Sequence, residues 1–316
     1  MKKWIITAVA IIMVGAIICF AAAAIMHFDF KKLDNGKYET NTYTVGESFL
    51  CISVTASTEK VFFKPAKDGK CTVVCLEEEN SRHEVAVTDG TLTIKRVESR
   101  KPSFHFGFSV QEPEITVYLP ESVYSDLHIE TDTGDINIPT GFTFDSITIN
   151  GDTSDVACYA SAINGIKIAI TTGDITISAV TAGRMDLKTT TGRISAESVE
   201  CAGDVYIHVD TGKVKLQDII CQNLTSEGTT GDLTLDHVVV DDAISITRST
   251  GDVKFSESDA ASIFVQTDTG DVTGTLLTEK VFLTKTDTGK VEVPKSVTGG
   301  RCEISTDTGD IRIEVR

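Results

Sequence analysis

Apolar and polar residues alternate with period two over most of the chain, and the alternation restarts every nineteen or twenty residues around a polar Thr-Gly step. Taking the Gly of each step as a mark gives Gly134, Gly173, Gly192, Gly212, Gly231, Gly251, Gly270, Gly289 and Gly309, with Ser154 in the one vacant place. The intervals are 20, 19, 19, 20, 19, 20, 19, 19 and 20 residues, so ten copies run from about residue 121 to the C-terminus without an insertion longer than one residue. The residue before each mark is Thr in all ten copies. Two residues after it stands an aliphatic side chain, from Ile136 and Val156 through to Ile311. Seven before it stands an apolar one in every copy, from Leu127 to Cys302. Positions five before and four after are also mostly apolar.

A strand, a Thr-Gly-Asp turn, a second strand and a short return cannot bury an apolar face alone. Stacked copies can. The pattern therefore predicts an all-β fold, a single-stranded parallel β-solenoid (β-helix) of about ten rungs. At about 4.8 Å per rung it would be a rod on the order of 48 Å long. Gly at the turn implies positive φ, which makes Ser154 the expected strained exception. An alternating helix-strand fold fails because no segment after Met26 carries a sustained 3.6-residue apolar stripe. A propeller would need about 40 residues per blade, twice this period.

Residues 31–120 lack the Thr-Gly repeat but are strand-like, with Asp68-Gly69 and Asp89-Gly90 as hairpin signals. A solenoid leaves an open strand edge at each end, and this segment is the expected cap. The organisation read from sequence is thus 1–30 membrane anchor or uncleaved signal, 31–120 strand-rich cap and 121–316 repeat domain. In the first of these, Lys2 and Lys3 precede 23 residues, Trp4 to Met26, without charge or Pro. As a helix that stretch would be ~34 Å long, enough for a hydrocarbon core of about 30 Å. Ala21 to Ala24 offer small residues for a signal peptidase, and either route exports the rest. Lys31 and Lys32 weaken the positive-inside signal, yet the expected placement is a single-pass cell-membrane protein with its N-terminus inside and its repeats extracytoplasmic.

Charge sharpens the picture. The chain carries 29 Lys+Arg against 46 Asp+Glu, a net of −17. Residues 121–316 hold 15 of the basic and 32 of the acidic residues, so 15 − 32 = −17 lies on the repeats. Nucleic acid, bound mainly through cations on phosphate, is not an expected partner. The residue after each mark forms a ladder: Asp135, Asp155, Asp174, Arg193, Lys213, Asp232, Asp252, Asp271, Lys290 and Asp310. Stacked carboxylates repel, and two explanations of the ladder are open. Calcium, a hard cation taking six to eight oxygens, could sit at the densest group, Asp132, Asp135, Asp152 and Asp155. Alternatively, Asp and Thr side chains bond the turn's own backbone N–H groups while solvent screens the charge. Arg193 and Lys213 favour the second, since they interrupt the ladder with neutralising neighbours.

A lysine-led membrane segment, a strand-rich lead-in ending in Val117-Tyr118-Leu119-Pro120, and Thr-Asp-Thr-Gly-Asp-Ile copies such as 131–136 and 306–311 together resemble the bacterial putative-adhesin family of β-strand-repeat proteins, a domain of unknown function that includes LiaG-like envelope proteins. The resemblance covers nearly the whole chain. It implies a surface-exposed β-solenoid in adhesion or envelope stress and carries over no catalytic residue.

Other candidate chemistry is sparse. Of the eight cysteines, Cys19 lies in the apolar segment. Cys71 and Cys75 are ~13 Å apart along one strand face, too far to bridge. Cys201 and Cys221 both fall nine after their marks, within disulfide reach if rungs stack, with free buried thiols as the alternative. The histidines occupy unrelated columns, and no cysteine pair has zinc spacing. Phe104, Phe106 and Phe108, in alternate positions between Pro102 and Pro113, either contact a partner or pack over the first rung. The favoured function is a non-enzymatic membrane-anchored rod binding or spacing a cell-envelope component, protein or glycan. An envelope-stress sensor or regulatory subunit is the alternative. A β-helical polysaccharide-active enzyme is disfavoured because rungs of constant length leave no loops to build a cleft.

Overall fold

The computed structural model describes residues 11–18, 20, 24, 38–78, 81–97 and 111–316. Among these, no helix is long and apolar enough to cross a membrane. Most of the expected span at 4–26 lies outside the described residues, as do Phe104, Phe106 and Phe108. Among the described residues from Tyr38 onward the secondary structure is all strand.

The repeats stack as parallel rungs in the register the sequence predicts. Ile166 pairs with Met185, Met185 with Val205, Val205 with Leu224 and Leu224 with Ile244, one rung apart along the seven-before column. The two-after column does the same, Ile175 on Ile194 on Val214 on Leu233. Outside the Gly289 rung both columns are buried, and with the five-before and four-after positions they line one continuous core. The short return is itself a side of the rung. Val180, Val199, Ile219 and Val238, seven after their marks, are also buried, so each complete rung has three inward faces.

Two corners shape the rung, and only one is visible in the sequence. At the marked corner Gly212 has φ 147°, and a methyl there would overlap the carbonyl oxygen of Gly192 in the rung beneath. The second corner, six after the mark, is left-handed without glycine: Ala179, Ser198, Asp218, His237 and Glu257 have φ between 46° and 55°. The expected strain at Ser154 is not found. Neither Ser154 nor Gly134 belongs to the positive-φ residues, so the first two marked corners lie outside the left-handed region, although a methyl at Gly134 would still overlap the carbonyl oxygen of Glu59. Ser154 is buried and keeps the cross-rung bond, its N–H donating to Thr172 O at 2.9 Å.

The lead-in adds to the stack. Cys51–Ala56 pairs in parallel with Val123–Thr131, placing Ile52 on Leu127 and Val54 on Ile129, and Val61 of Lys60–Pro65 lies on Ile136. This is a rung whose corner reads Thr58-Glu59 where the repeats read Thr-Gly. Thr91–Arg96 and Glu114–Leu119 lie parallel on its far side. Antiparallel strands follow: His83–Thr88 on Thr91–Arg96, Cys71–Glu78 on Glu114–Leu119, and Tyr38–Val45 on Cys71–Glu78.

At the other end, stacking order departs from chain order. The Gly270 rung is followed not by the Gly289 rung but by the Gly309 rung: Ile263 pairs with Cys302 and Val272 with Ile311. The Gly289 rung, Lys280–Thr288 and Val291–Glu292, lies outermost on Gly300–Thr308 and Ile311–Val315. Core quality explains the exchange. Cys302, Ile304, Ile311 and Ile313 are buried, whereas Val291 is 42 % exposed and Thr284 stands where the Gly309 rung carries Ile304. The more polar rung takes the solvent end. Lys280 pairs across from Gly300, which has no side chain, and its ammonium reaches Asp259 at 2.5 Å with both side chains nearly fully buried.

Arg248 also breaks the apolar pattern, in the middle of the rod. Arg248 is 1 % exposed, donates to Ser226 Oγ at 2.8 Å and to Glu227 O at 3.4 Å, and lies over Gly228, where a methyl would overlap its guanidinium. Burial lowers it to about 10.

Cys201 and Cys221 occupy adjacent rungs and are both free thiols, as are the five other described cysteines. Burial pushes Cys71, Cys221 and Cys302 up to about 12, which suppresses the thiolate needed for exchange. Thiol titration of the denatured, unreduced full chain should therefore find all eight cysteines reactive. A count of six would show the Cys201–Cys221 bond instead.

Candidate functional site

The acidic ladder is a hydrogen-bonded seam along the outer marked corner. Each Asp Oδ1 accepts from the backbone N–H of the next residue in the column: Asp155 N to Asp135 at 3.3 Å, Asp174 N to Asp155 at 2.8 Å, Asp252 N to Asp232 at 3.2 Å and Asp271 N to Asp252 at 2.9 Å. The corner leaves this N–H without a ladder partner, and the carboxylate one rung back supplies it. Because the last two rungs exchange places, the series continues with Asp310 N on Asp271 and Lys290 N on Asp310, each at 2.8 Å. In space the column thus begins at Lys60, 3.5 Å from Asp135, and ends at Lys290, with cations at both ends of a stack that would otherwise repel itself.

Of the four carboxylates singled out for calcium, Asp135 and Asp155 serve this seam. Asp135 and Asp155 accept from the rungs above them, and Asp132 Oδ2 accepts from Ser57 Oγ at 3.0 Å. Among the described residues, Cys75, Glu77 and His83 are the group of three or more metal-ligating side chains with ligand atoms within 4.8 Å of one another, and the four aspartates form no such group.

The seam is interrupted midway. Arg193 and Lys213, on consecutive rungs, stand beside Lys215 in an open groove of about 540 Å³ that Asp174 and Asp232 close at either end. Lys213 Nζ is 2.8 Å from Asp232 Oδ2, and that bond together with the Asp252 N–H lowers Asp232 below the usual carboxylate range. Arg193 is held loosely, 4.0 Å from Asp174, and Lys215 bonds only the Gln217 side-chain oxygen at 2.9 Å. A second groove of similar volume on another face has mixed charge, with Lys167, Arg184, Asp186 and Tyr206 in its lining.

A third feature is interior. Glu59 at the Thr-Glu corner, Glu77 and Cys75 on Cys71–Glu78, and His83 at the start of His83–Thr88 are all buried where the cap meets the first rung. Glu77 Oε2 accepts from His83 N at 2.6 Å and lies 2.5 Å from its Nδ1, while Oε1 accepts from Asn41 at 2.7 Å and Tyr43 at 3.1 Å. Glu59 Oε2 accepts from Ser57 N at 2.6 Å and Thr58 N at 3.0 Å. Its Oε1 stands 3.5 Å from His83 Nε2, which has no hydrogen-bond partner. Burial alone would lower His83, but Cys75, Glu59 and Glu77 outweigh it and raise it to about 10. Burial would likewise raise Glu59, yet His83 and the backbone N–H groups bring it to about 2. Sequence reasoning missed this group because its members, though close in the chain, have no ligand-motif spacing and meet only through the placing of the strands that carry them. The one available signal was Glu77 standing at an inward position in line with Cys71, Val73 and Cys75.

With this geometry in hand, residues 50–314 match Toastrack DUF4097. The chain belongs to the Toastrack DUF4097 family. Crystal structures give the Toastrack fold experimental counterparts. A putative adhesin from Parabacteroides distasonis aligns at TM-score 0.50 with 13 % identity, over 77 % of this chain and 98 % of that one. A putative lipid binding protein from the same species aligns at TM-score 0.50 with 12 % identity, over 88 % and 98 %. A putative adhesin from Bacteroides fragilis aligns at 0.45 with 15 % identity, over 88 % and 97 %. At these identities the first two support the Toastrack fold and not a ligand. No curated protein matches the sequence.

Proposed function

We propose that this Toastrack protein is a non-enzymatic surface rod, tethered to the membrane through residues 4–26, whose extracytoplasmic outer face holds an anionic polymer of the cell envelope. The observation that carries the reading is the Arg193, Lys213 and Lys215 groove. On a chain of net charge −17 it gathers three cations within two rungs, with two of them weakly committed to internal partners. A repulsive acidic column on both sides restricts an anionic ligand to that window, which is how electrostatics supplies register and specificity. Constant rung length supports a binding surface over a catalytic cleft, and the adhesin names of two structural counterparts agree with it. The uninterrupted apolar stretch after Lys2 and Lys3 supports the tether.

Binding to an isolated anionic envelope polysaccharide should weaken at least about tenfold in Arg193→Glu/Lys213→Glu and should fall with added salt. Equal affinity in the double variant would remove the groove from the reading. Both side chains are exposed, but Lys213 bonds Asp232, so binding is compared well below the melting transitions of variant and parent.

A further inference from the structure

We propose that Cys75, Glu77 and His83 form a buried binding site for a zinc-type divalent transition-metal ion. The three side chains come from two strands of the cap. Cys75 and Glu77 share the inward face of Cys71–Glu78, and His83 opens the strand His83–Thr88. All three are buried, and their ligand atoms lie within 4.8 Å of one another. One thiolate, one imidazole and one carboxylate make a donor set suited to zinc or cobalt and poorly suited to calcium or magnesium, which prefer oxygen alone.

The surroundings fit a metal centre in three respects. Glu59 faces the second imidazole nitrogen of His83 at 3.5 Å, and that nitrogen is otherwise buried without a partner. With the metal on the nitrogen beside Glu77, Glu59 takes the outer carboxylate role that fixes a ligating histidine's tautomer and orientation. Glu77 is held from behind by Asn41 and Tyr43, and Glu59 by two backbone N–H groups, so both carboxylates are oriented before a metal arrives. Finally, a cavity of about 190 Å³ lined by Glu59, Glu77, Ser81 and Arg96 abuts the group. It gives an ion an approach and leaves room for a water as fourth ligand. Binding replaces protons: the Cys75 thiol loses its proton, and His83 binds as the neutral imidazole. Those protons leave to solvent.

The test uses the full chain, purified in detergent and reduced, with Co²⁺ as probe. The expected result is one equivalent of Co²⁺ bound with an intense thiolate-to-cobalt charge-transfer absorption that Zn²⁺ abolishes. Cys75→Ser should lose that absorption, and Cys221→Ser, in the rod's interior, should keep it. His83→Gln should weaken Co²⁺ binding at least about tenfold. Zn²⁺ should raise the melting temperature of the unaltered protein, a readout that stands even if a variant does not fold. No charge-transfer absorption in the reduced parent protein, or one that survives in Cys75→Ser, overturns the site and leaves the group as a histidinium held between two carboxylates. The envelope-polymer reading concerns other residues, and neither result bears on it.

Discussion

Replacing Gly212 by alanine should cost about 4 kcal/mol or more and open the rod in its middle. Two effects add. The residue sits at φ 147°, a region that costs other residues roughly 1–3 kcal/mol. The new methyl would also overlap the carbonyl oxygen of Gly192, part of a rung that neither slides nor tilts without losing its own bonds. Gly192 N donates to Thr211 O at 3.0 Å and Gly212 N to Thr230 O at 2.8 Å, so separating the rungs breaks the ladder on both sides. Hydrogen exchange should accelerate first between the Gly192 and Gly231 rungs, since a solenoid is held by nearest-neighbour contacts. Ala179→Gly provides the converse. Its φ of 55° is strained for alanine and free for glycine, so the change should be neutral or stabilising by up to about 1 kcal/mol. A Gly212→Ala protein that melts with the parent would show that the corner does not bear the stacking.

The second large effect is expected at the solvent end. Lys280→Met leaves Asp259 buried with only the Ala260 N–H as partner, and should cost about 3–5 kcal/mol. The loss should appear locally, because Lys280 ties the outermost rung to the Gly270 rung across the inserted Gly309 rung. Exchange in residues 280–292 and 300–315 should rise while the Gly192 to Gly251 rungs stay protected. Lys280→Met/Asp259→Leu should recover much of the stability, since replacing a whole buried pair by apolar groups of similar size is often neutral. If the single and double variants melt alike, the ion pair is not what fastens the end.

How far the sequence was legible follows from which interactions repeat. The two-after and seven-before columns could be read because all the rungs but the outermost bury the same two points, and repeated copies of one constraint leave a periodic trace. The Thr-Gly corner could be read because its backbone excludes other residues. The left-handed corner could not, since Ala179, Ser198, Asp218, His237 and Glu257 share a conformation but no chemistry. The rung with Thr58-Glu59 at its corner was hidden for the opposite reason: its geometry matches the repeats while its marking residue differs. The aspartates of the ladder were visible as a column, yet which explanation applied depended on where each Oδ1 points, and that is a cross-rung fact.

The sequence by itself determined the rung, its period, its inward residues and the acidity of its outer corner, because these arise from burial and backbone limits that act identically in each copy. Only the tertiary structure decided the stacking order of the last two rungs, the placing of Lys60 and Lys290 at the ends of the acidic column, the seating of Arg248 over Gly228, and the meeting of Glu59, Cys75, Glu77 and His83. Each of these is a single event that no other rung repeats. An unrepeated long-range contact imposes no period, so nothing along the sequence announces it.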